Sequence, residues 1–191
     1  LSVPTKHFAF SFGLKPKSAV GFRAKTIRTE NDLEYQNLYD GKGGVNSTFF
    51  GLALNPIDGL SLGVSAFYNF GYSEKTTTER ITGVQNDTQV FSRSELSGIH
   101  YSFGMHYNRN IFSDYMLQLS AIYTPITSIK SKNSKTISAL ATGGGAVAQE
   151  DINLGNLATT TNKYAAETTF GIGLGKPQNW FAGVPYVNAA E

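Results

Sequence analysis

Residues 60–72 read LSLGVSAFYNFGY. Apolar side chains occupy every second position from Leu60 to Tyr72, and mostly small or polar side chains occupy the positions between them. A strict period of two over this length predicts an extended strand with two unlike faces. At about 3.3 Å per residue the strand spans roughly 40 Å, enough to cross a bilayer on a tilted path and project beyond it. The pattern therefore favours an all-β fold, a transmembrane antiparallel β-barrel whose wall separates lipid from a lumen.

The same alternation recurs along the chain, and it predicts about eight strands. They are His7–Leu14, Ala19–Arg28, Ser47–Asn55, Leu60–Tyr72, Ile99–Asn108, Leu117–Tyr123, Phe170–Gly175 and Trp180–Tyr186. Lys15-Pro16-Lys17-Ser18 is expected to be a turn, since proline presets the φ that a turn needs. Three connections are long and polar, and are expected to be loops: Thr29–Asn46, Glu74–Ser94 and Thr127–Lys163. Short turns on one side and long loops on the other are typical of bacterial outer-membrane barrels.

Composition excludes several classes of function. Charged residues make up 16% of the chain, against about 25% in ordinary soluble domains. No run of eighteen apolar residues occurs, which excludes a helical membrane protein. The formal charge of +2 is small and its cations are scattered, so we expect no nucleic-acid partner. With no cysteine, the chain has no disulfide, thiolate chemistry or cysteine metal site.

The second face of the predicted strands is rich in glycine, alanine and serine, which would leave voids in a small closed barrel. The chain also ends in Ala189-Ala190-Glu191 rather than in the terminal aromatic residue common in outer-membrane barrels. We therefore expect a single outer-membrane β-barrel domain over residues 1–191, incomplete at both ends and part of a larger barrel.

Several short motifs carry a resemblance to a known family. They are Phe10-Ser11-Phe12-Gly13-Leu14-Lys15-Pro16, Tyr39-Asp40-Gly41-Lys42-Gly43-Gly44-Val45-Asn46 and Phe170–Phe181 with its Lys-Pro-Gln-Asn-Trp-Phe ending. In these the chain resembles FadL/TodX-type outer-membrane transport proteins of the Bacteroidetes branch. The resemblance implies a fourteen-stranded barrel with an N-terminal plug, which imports fatty acids or hydrocarbons. It also implies membrane lipid and hydrophobic small molecules as partners.

Four side chains are weak candidates for binding a ligand in the lumen. Arg23 and Lys25 lie on the predicted polar face, where they would attract a carboxylate or an anionic headgroup; alternatively they pair with acidic residues such as Asp32 or Glu34. His100 and His106 share a predicted face, but six residues of strand separate them by about 20 Å, too far for a shared metal. No sequence feature places a base beside a nucleophile. We expect no catalytic residue, no cofactor and no metal, and so no enzyme.

These observations leave three hypotheses of function. The leading one is passive uptake of hydrophobic compounds across the bacterial outer membrane. The second is a non-transporting structural subunit of an outer-membrane secretion or assembly complex, with other outer-membrane proteins as partners. The third is a soluble all-β binding module. In that case, four apolar residues of the predicted strands would pack between two stacked sheets: Leu62, Val64, Phe103 and Leu119.

Overall fold

The computed structural model describes residues 1–5, 7–31, 33–111, 114–141 and 145–189, and these form one antiparallel sheet. Its strands are β1 (Ser2–Pro4), β2 (Phe8–Glu30), β3 (Leu33–Ile57), β4 (Leu60–Ile81), β5 (Asn86–Ile111), β6 (Tyr115–Thr124), β7 (Thr127–Ala141), β8 (Ala146–Ile152), β9 (Thr159–Tyr164), β10 (Glu167–Lys176) and β11 (Trp180–Ala189). A 3₁₀ helix over Gly155–Ala158 is the one helical element among these residues. Within the described ranges, no helix has the length and apolar character needed to cross a membrane.

Eight strands follow one another across the sheet in the order β1-β2-β3-β4-β5-β6-β10-β11. The remaining three lie beside this path, because the two ends of β5 pair with different strands, β6 at its C-terminal end and β7 at its N-terminal end. The pairing of Tyr164 with Thr127 and of Glu167 with Thr124 keeps one register across the gap between β9 and β10. Hence β6–β7 and β9–β10 each behave as one long interrupted strand.

The central strands are much longer than the sequence pattern predicts. Strands β2 to β5 contain 23, 25, 22 and 26 residues, so the longest is roughly 85 Å from end to end. The three predicted loops were wrong, since most of their residues continue the strands and pair with one another. Serine, threonine and charged residues alternate there without apolar contrast, so periodicity does not reveal the strands.

The predicted turn at Lys15–Ser18 was also wrong. Here β2 continues and carries a bulge, since Pro16 pairs with Asn46 and Ser18 pairs with Val45, which leaves Lys17 as the extra residue. A single inserted residue moves every later side chain of the strand to the opposite face. Beyond the bulge, Arg23 and Lys25 therefore share a face with the apolar residues of the first part of β2.

Glycines and strand breaks in the neighbouring strands lie close to the level of this bulge, and we call this level the waist. They comprise Gly43 and Gly44 in β3, Gly71 in β4, Gly98 in β5, the break at Pro125–Ile126 and the break at Ala165–Ala166. A Cβ atom on Gly71 would lie 2.1 Å from the carbonyl oxygen of Gly44, so β3 and β4 approach too closely there for any side chain. We name the part of the sheet toward the Asp58–Gly59 turn the apolar half, and the part toward Asn31 the polar half.

The sheet is curled into a half-barrel, so the expected all-β antiparallel fold is confirmed. At the waist, the ammonium group of Lys17 in β2 lies 5.9 Å from the ring centre of Tyr164 in β9, although the two strands are far apart in the sheet order. The face that carries both residues is therefore the concave one. In the described residues, no pairing joins β1 or β2 to β11.

The interior is nearly devoid of buried hydrophobic residues. Ile129 is the one buried apolar side chain in the described part of the chain. The residues that would fill a sandwich core lie instead on the convex face, where Leu62, Val64 and Phe103 are 38%, 39% and 47% exposed. One curled sheet with an exposed apolar face does not match the soluble sandwich of the third hypothesis.

Candidate functional site

The convex surface of the apolar half is a continuous apolar wall. Directly opposed residues repeat across the strands, as in the row formed by Phe8, Leu54, Leu62, Met105 and Ala121. In the apolar half each long strand runs for about ten residues, every second one facing outward, and this is the length of strand that crosses a bilayer at a tilt of about 45°. Tyr115 and Trp180 pack edge to face at the end of the apolar half away from the waist, with ring centres 6.2 Å apart.

Charged side chains begin on the other side of the waist from this wall, in the polar half. Glu74 has a side chain only 10% exposed, and it accepts a hydrogen bond from Nη1 of Arg93 at 2.7 Å. The ammonium group of Lys42 lies 3.2 Å from the other oxygen of Glu74. Arg93 also donates to Glu95 and lies over the ring of Tyr72, at 5.1 Å from its centre. The convex face thus changes from apolar to ionic across the waist.

On the concave face, the waist is filled by aromatic and cationic side chains. The rings of Phe67 and His100 stack with their centres 4.6 Å apart, and Phe49 lies beside them at 5.9 Å from Phe67. The ammonium group of Lys15 sits over Phe67 at 4.9 Å from the ring centre.

A buried polar pair lies next to this cluster on the concave face, on its polar-half side. Asn69 and Ser47 are opposed residues of β4 and β3, and each is 1% exposed. The amide nitrogen of Asn69 lies 2.7 Å from Nδ1 of His100. Because an amide nitrogen can only donate, Nδ1 of His100 accepts in this arrangement. Ser47 Oγ and Asn69 Oδ1 have no hydrogen-bond partner among the described residues.

The two predicted lumen histidines occupy separate cavities of the concave face. His100 lines a cavity of about 380 Å³ together with Lys17, Tyr164 and Glu167. His106 lines another of about 390 Å³, with Gln118 and with Gly171 and Gly173 of β10. The structure does not bring the histidines together. In the part of the chain that it describes, no three His, Cys, Asp or Glu side chains are placed to hold a metal ion.

The two predicted lumen cations lie on the other face. Because of the bulge, Arg23 and Lys25 project from the convex side of the polar half, so their expected lumen position is corrected. Arg23 forms an ion pair with Asp40, its directly opposed neighbour, at 2.8 Å. Of the acidic partners expected from the sequence, Asp32 lies outside the described residues and Glu34 accepts a hydrogen bond from Gln36.

Of the residues in the waist cluster, His100 was predicted from the sequence and the others were not. Lys15 and Lys17 were assigned to a turn, and Phe49 and Asn69 were treated as ordinary strand positions. One signal was present in the sequence: Phe67 is a large aromatic residue on a face that otherwise carries glycine, serine and asparagine. An aromatic ring on a small-residue face indicates that something packs there.

The comparisons with known proteins assign the family. The family model of BamG matches residues 1–191, the whole chain. The chain belongs to the BamG family. This is a family of the outer-membrane assembly complex, BAM. No curated protein and no solved structure matches the chain.

Membership of the BamG family corrects two expectations. The FadL/TodX resemblance was wrong, and with it the prediction of a transporter for hydrophobic ligands. The shared motifs are runs of aromatic and glycine residues in β-strands, and alternation of this kind is common to outer-membrane barrels and does not separate one barrel family from another. The BamG family implies association with other outer-membrane proteins, and it supports neither fatty acids nor lipids as specific partners.

Proposed function

We propose that the chain is a non-catalytic structural subunit of the outer-membrane assembly complex. Its apolar half would lie in the outer membrane as part of a β-barrel wall, and its polar half would project into water. The observation that carries this proposal is the exposed apolar wall in a chain of the BamG family. An apolar surface of this extent is not kept in water, so lipid or protein must cover it.

The waist cluster favours a structural role over the uptake of apolar compounds. Phe49, Phe67, His100 and Lys15 place stacked rings and an ammonium group on the concave face at one level. A charged ammonium group is an unfavourable neighbour for an apolar solute.

The open edge of the apolar half indicates where a partner would bind. All ten residues of β11 are exposed and none is charged. In hydrocarbon, an unpaired sheet edge leaves backbone groups without hydrogen bonds, at several kcal/mol each, so such an edge is tolerated only under protein. Protein rather than lipid is therefore expected to cover the outer edge of β11, and a subunit of the complex near this edge is the contact that we propose.

A photo-cross-linking amino acid at Val184, on the convex side of β11, tests this proposal in the native cells. Val64 provides the matched control, because it is an outward valine at the centre of the sheet. We expect Val184 to cross-link to a subunit of the assembly complex and Val64 to give no protein adduct. Depletion of the chain should lower the amounts of folded outer-membrane barrels and leave growth on long-chain fatty acids unchanged. Equal labelling at both positions, or a growth defect on fatty acids alone, contradicts the proposal.

A further inference from the structure

The convex face carries a hollow of about 510 Å³ where the apolar half meets the polar half. Phe70 and Tyr72 of β4 form one side of it. Lys130 and Lys132 of β7 form the other side. Between these sides lies Ser97 of β5, which is directly opposed to both Phe70 and Lys130. Because a small serine separates the rings from the lysines, a side chain of another molecule can enter this hollow, which we call the lysine hollow.

Three lysines of this region have no acidic partner in the described part of the chain. They are Lys130 and Lys132 of β7 and Lys163 of β9, and all three are exposed. Lys163 projects on the same face, because its opposed residue in β7 lies two residues before Lys130. Lys132 is directly opposed to Glu95, but that carboxylate accepts a hydrogen bond from Arg93 at 3.0 Å. The sheet therefore leaves an excess of positive charge at the lysine hollow.

These unpaired cations are confined to one sector of the convex face. The two rows of opposed residues that cross the lysine hollow continue through β4 and β3 to β2. In both rows the residues of these three strands are uncharged: Pro16, Ala19, Gly44, Asn46, Phe70 and Tyr72. Lipid headgroups would meet every strand at this level, so cations that served them would be expected on every strand. Positive charge on β7 and β9 alone matches a single partner that docks at one place.

The chemistry of the lysine hollow defines the partner that fits it. Its ammonium groups attract carboxylates, and its aromatic side offers apolar surface, since Tyr72 is 41% exposed. Lys130 and Lys132 are two residues apart on one strand, a separation of about 7 Å. Carboxylates two residues apart in an extended polypeptide have the same spacing. An extended acidic segment with an apolar side chain therefore complements both sides of the hollow.

We propose that the lysine hollow docks an acidic segment of another protein of the outer-membrane assembly complex. The carboxylates of that segment pair with Lys130, Lys132 and Lys163, and an apolar side chain packs against Phe70 and Tyr72. This inference rests on the function proposed above, because it gives the chemistry of one partner of the subunit. The contact lies on the face of the sheet and is separate from the outer edge of β11, so each can be tested without the other.

Photo-cross-linking in the native cells tests this contact, with the cross-linking amino acid at Ser97 on the floor of the lysine hollow. The matched control is Asn46, an exposed convex residue of β3 in the same row of opposed residues. We expect Ser97 to cross-link to one protein of the complex, at a segment rich in aspartate and glutamate that mass spectrometry identifies. Asn46 should give no protein adduct.

Charge reversal tests whether the lysines hold the partner. Lys130→Glu and Lys132→Glu should each lower the yield of the Ser97 adduct roughly tenfold, because attraction to a carboxylate becomes repulsion. Lys25→Glu is the control, since Lys25 is an exposed convex lysine that lies outside the hollow and has no ion pair with a described residue, and it should leave the yield unchanged. Exchange of an acidic residue of the identified segment for lysine should restore the adduct of the Lys130→Glu protein.

The adduct at Val184 separates failure of this inference from failure of the proposed function. If Val184 still cross-links to the complex, any of three results at Ser97 overturns the docking proposal alone: no adduct, an adduct with lipid only, or a protein adduct whose yield ignores the reversal of both lysines. Loss of the adducts at both Val184 and Ser97 contradicts the proposed function, and the docking proposal fails with it.

Discussion

The two halves of the sheet share the same strands and the same hydrogen-bond ladder, yet they present opposite surfaces. On the convex side of β3, Leu52 lies in the apolar half and Asp40 lies in the polar half. In the apolar half, the rows of exposed apolar side chains require lipid or protein to cover them. In the polar half, the ion pairs are compatible with contact with water. The backbone therefore sets the architecture, while the alternation of side chains decides which medium each length of strand can meet. Four substitutions test this difference.

The largest effect is expected from a charge in the apolar wall. Leu52→Arg places a guanidinium where the strand is proposed to cross hydrocarbon, and it should destabilise the lipid-embedded protein by about 2–4 kcal/mol. Leu38→Arg is the control, since Leu38 projects from the same face of the same strand in the polar half, and it should change stability little. Urea unfolding in lipid vesicles measures both; equal losses would show that the two halves meet the same medium.

The junction between the halves gives the next effect. Gly71→Ala forces a methyl group against the carbonyl of Gly44, and we expect a loss of about 1–3 kcal/mol from overpacking. Gly104→Ala is the matched change in the apolar half, where a Cβ meets nothing within 4 Å. Denaturant midpoints of the two variants provide the comparison. A Gly71→Ala protein as stable as Gly104→Ala would mean that the strands can separate at the waist without cost.

A smaller effect is expected from the ionic cluster of the polar half. Glu74→Gln keeps the shape of the side chain but removes the charge that Lys42 and Arg93 share, and it should cost about 1 kcal/mol. Glu95→Gln removes the more exposed partner of Arg93 and should cost less than about 0.5 kcal/mol. Thermal unfolding at low and high salt measures both losses, which should shrink as salt rises. A loss for Glu74→Gln that salt leaves unchanged contradicts a mainly electrostatic role.

The smallest effect concerns pH at the tip of the polar half. Hydrogen bonds from the Arg80 guanidinium hold the pKa of the Asp87 carboxyl below its usual value of 3.8. A lowered pKa in the folded state stabilises the fold above the unfolded value, and this contribution is lost as pH falls through the folded pKa. Asp87→Asn should therefore unfold more readily than the wild type at neutral pH and equally at low pH. A difference that persists below pH 3 would indicate packing instead.

The apolar half could be predicted from sequence because its strands alternate in hydrophobicity. Leu60–Tyr72 and Ile99–Asn108 have the predicted faces, and the chain turns between β3 and β4 at Asp58–Gly59, where the glycine has a φ of +85°. The polar half could not be predicted in the same way, because threonine, serine and lysine alternate with one another. Its strands are specified by their cross-strand neighbours, which a single sequence does not show.

The faces predicted for the four candidate residues depended on whether a bulge interrupts each strand. His100 and His106 were assigned to one face correctly, because no irregularity interrupts β5 between them. Arg23 and Lys25 were assigned to the wrong face, since Pro16 predicts a turn and a bulge equally well, and only the pairing partner distinguishes them. Family membership lay outside what these patterns can decide.

The extra residue at Lys17 changes the face on which every later residue of its strand lies. The later residues of β2 keep their order in the sequence, but each one lies on the opposite face of the sheet from the face it would have without the extra residue. An insertion or deletion of one residue at this point would re-face thirteen downstream positions in a single event, moving Phe22 outward and Arg23 inward. Indels at such a point offer this architecture a route to a new surface without a single substitution.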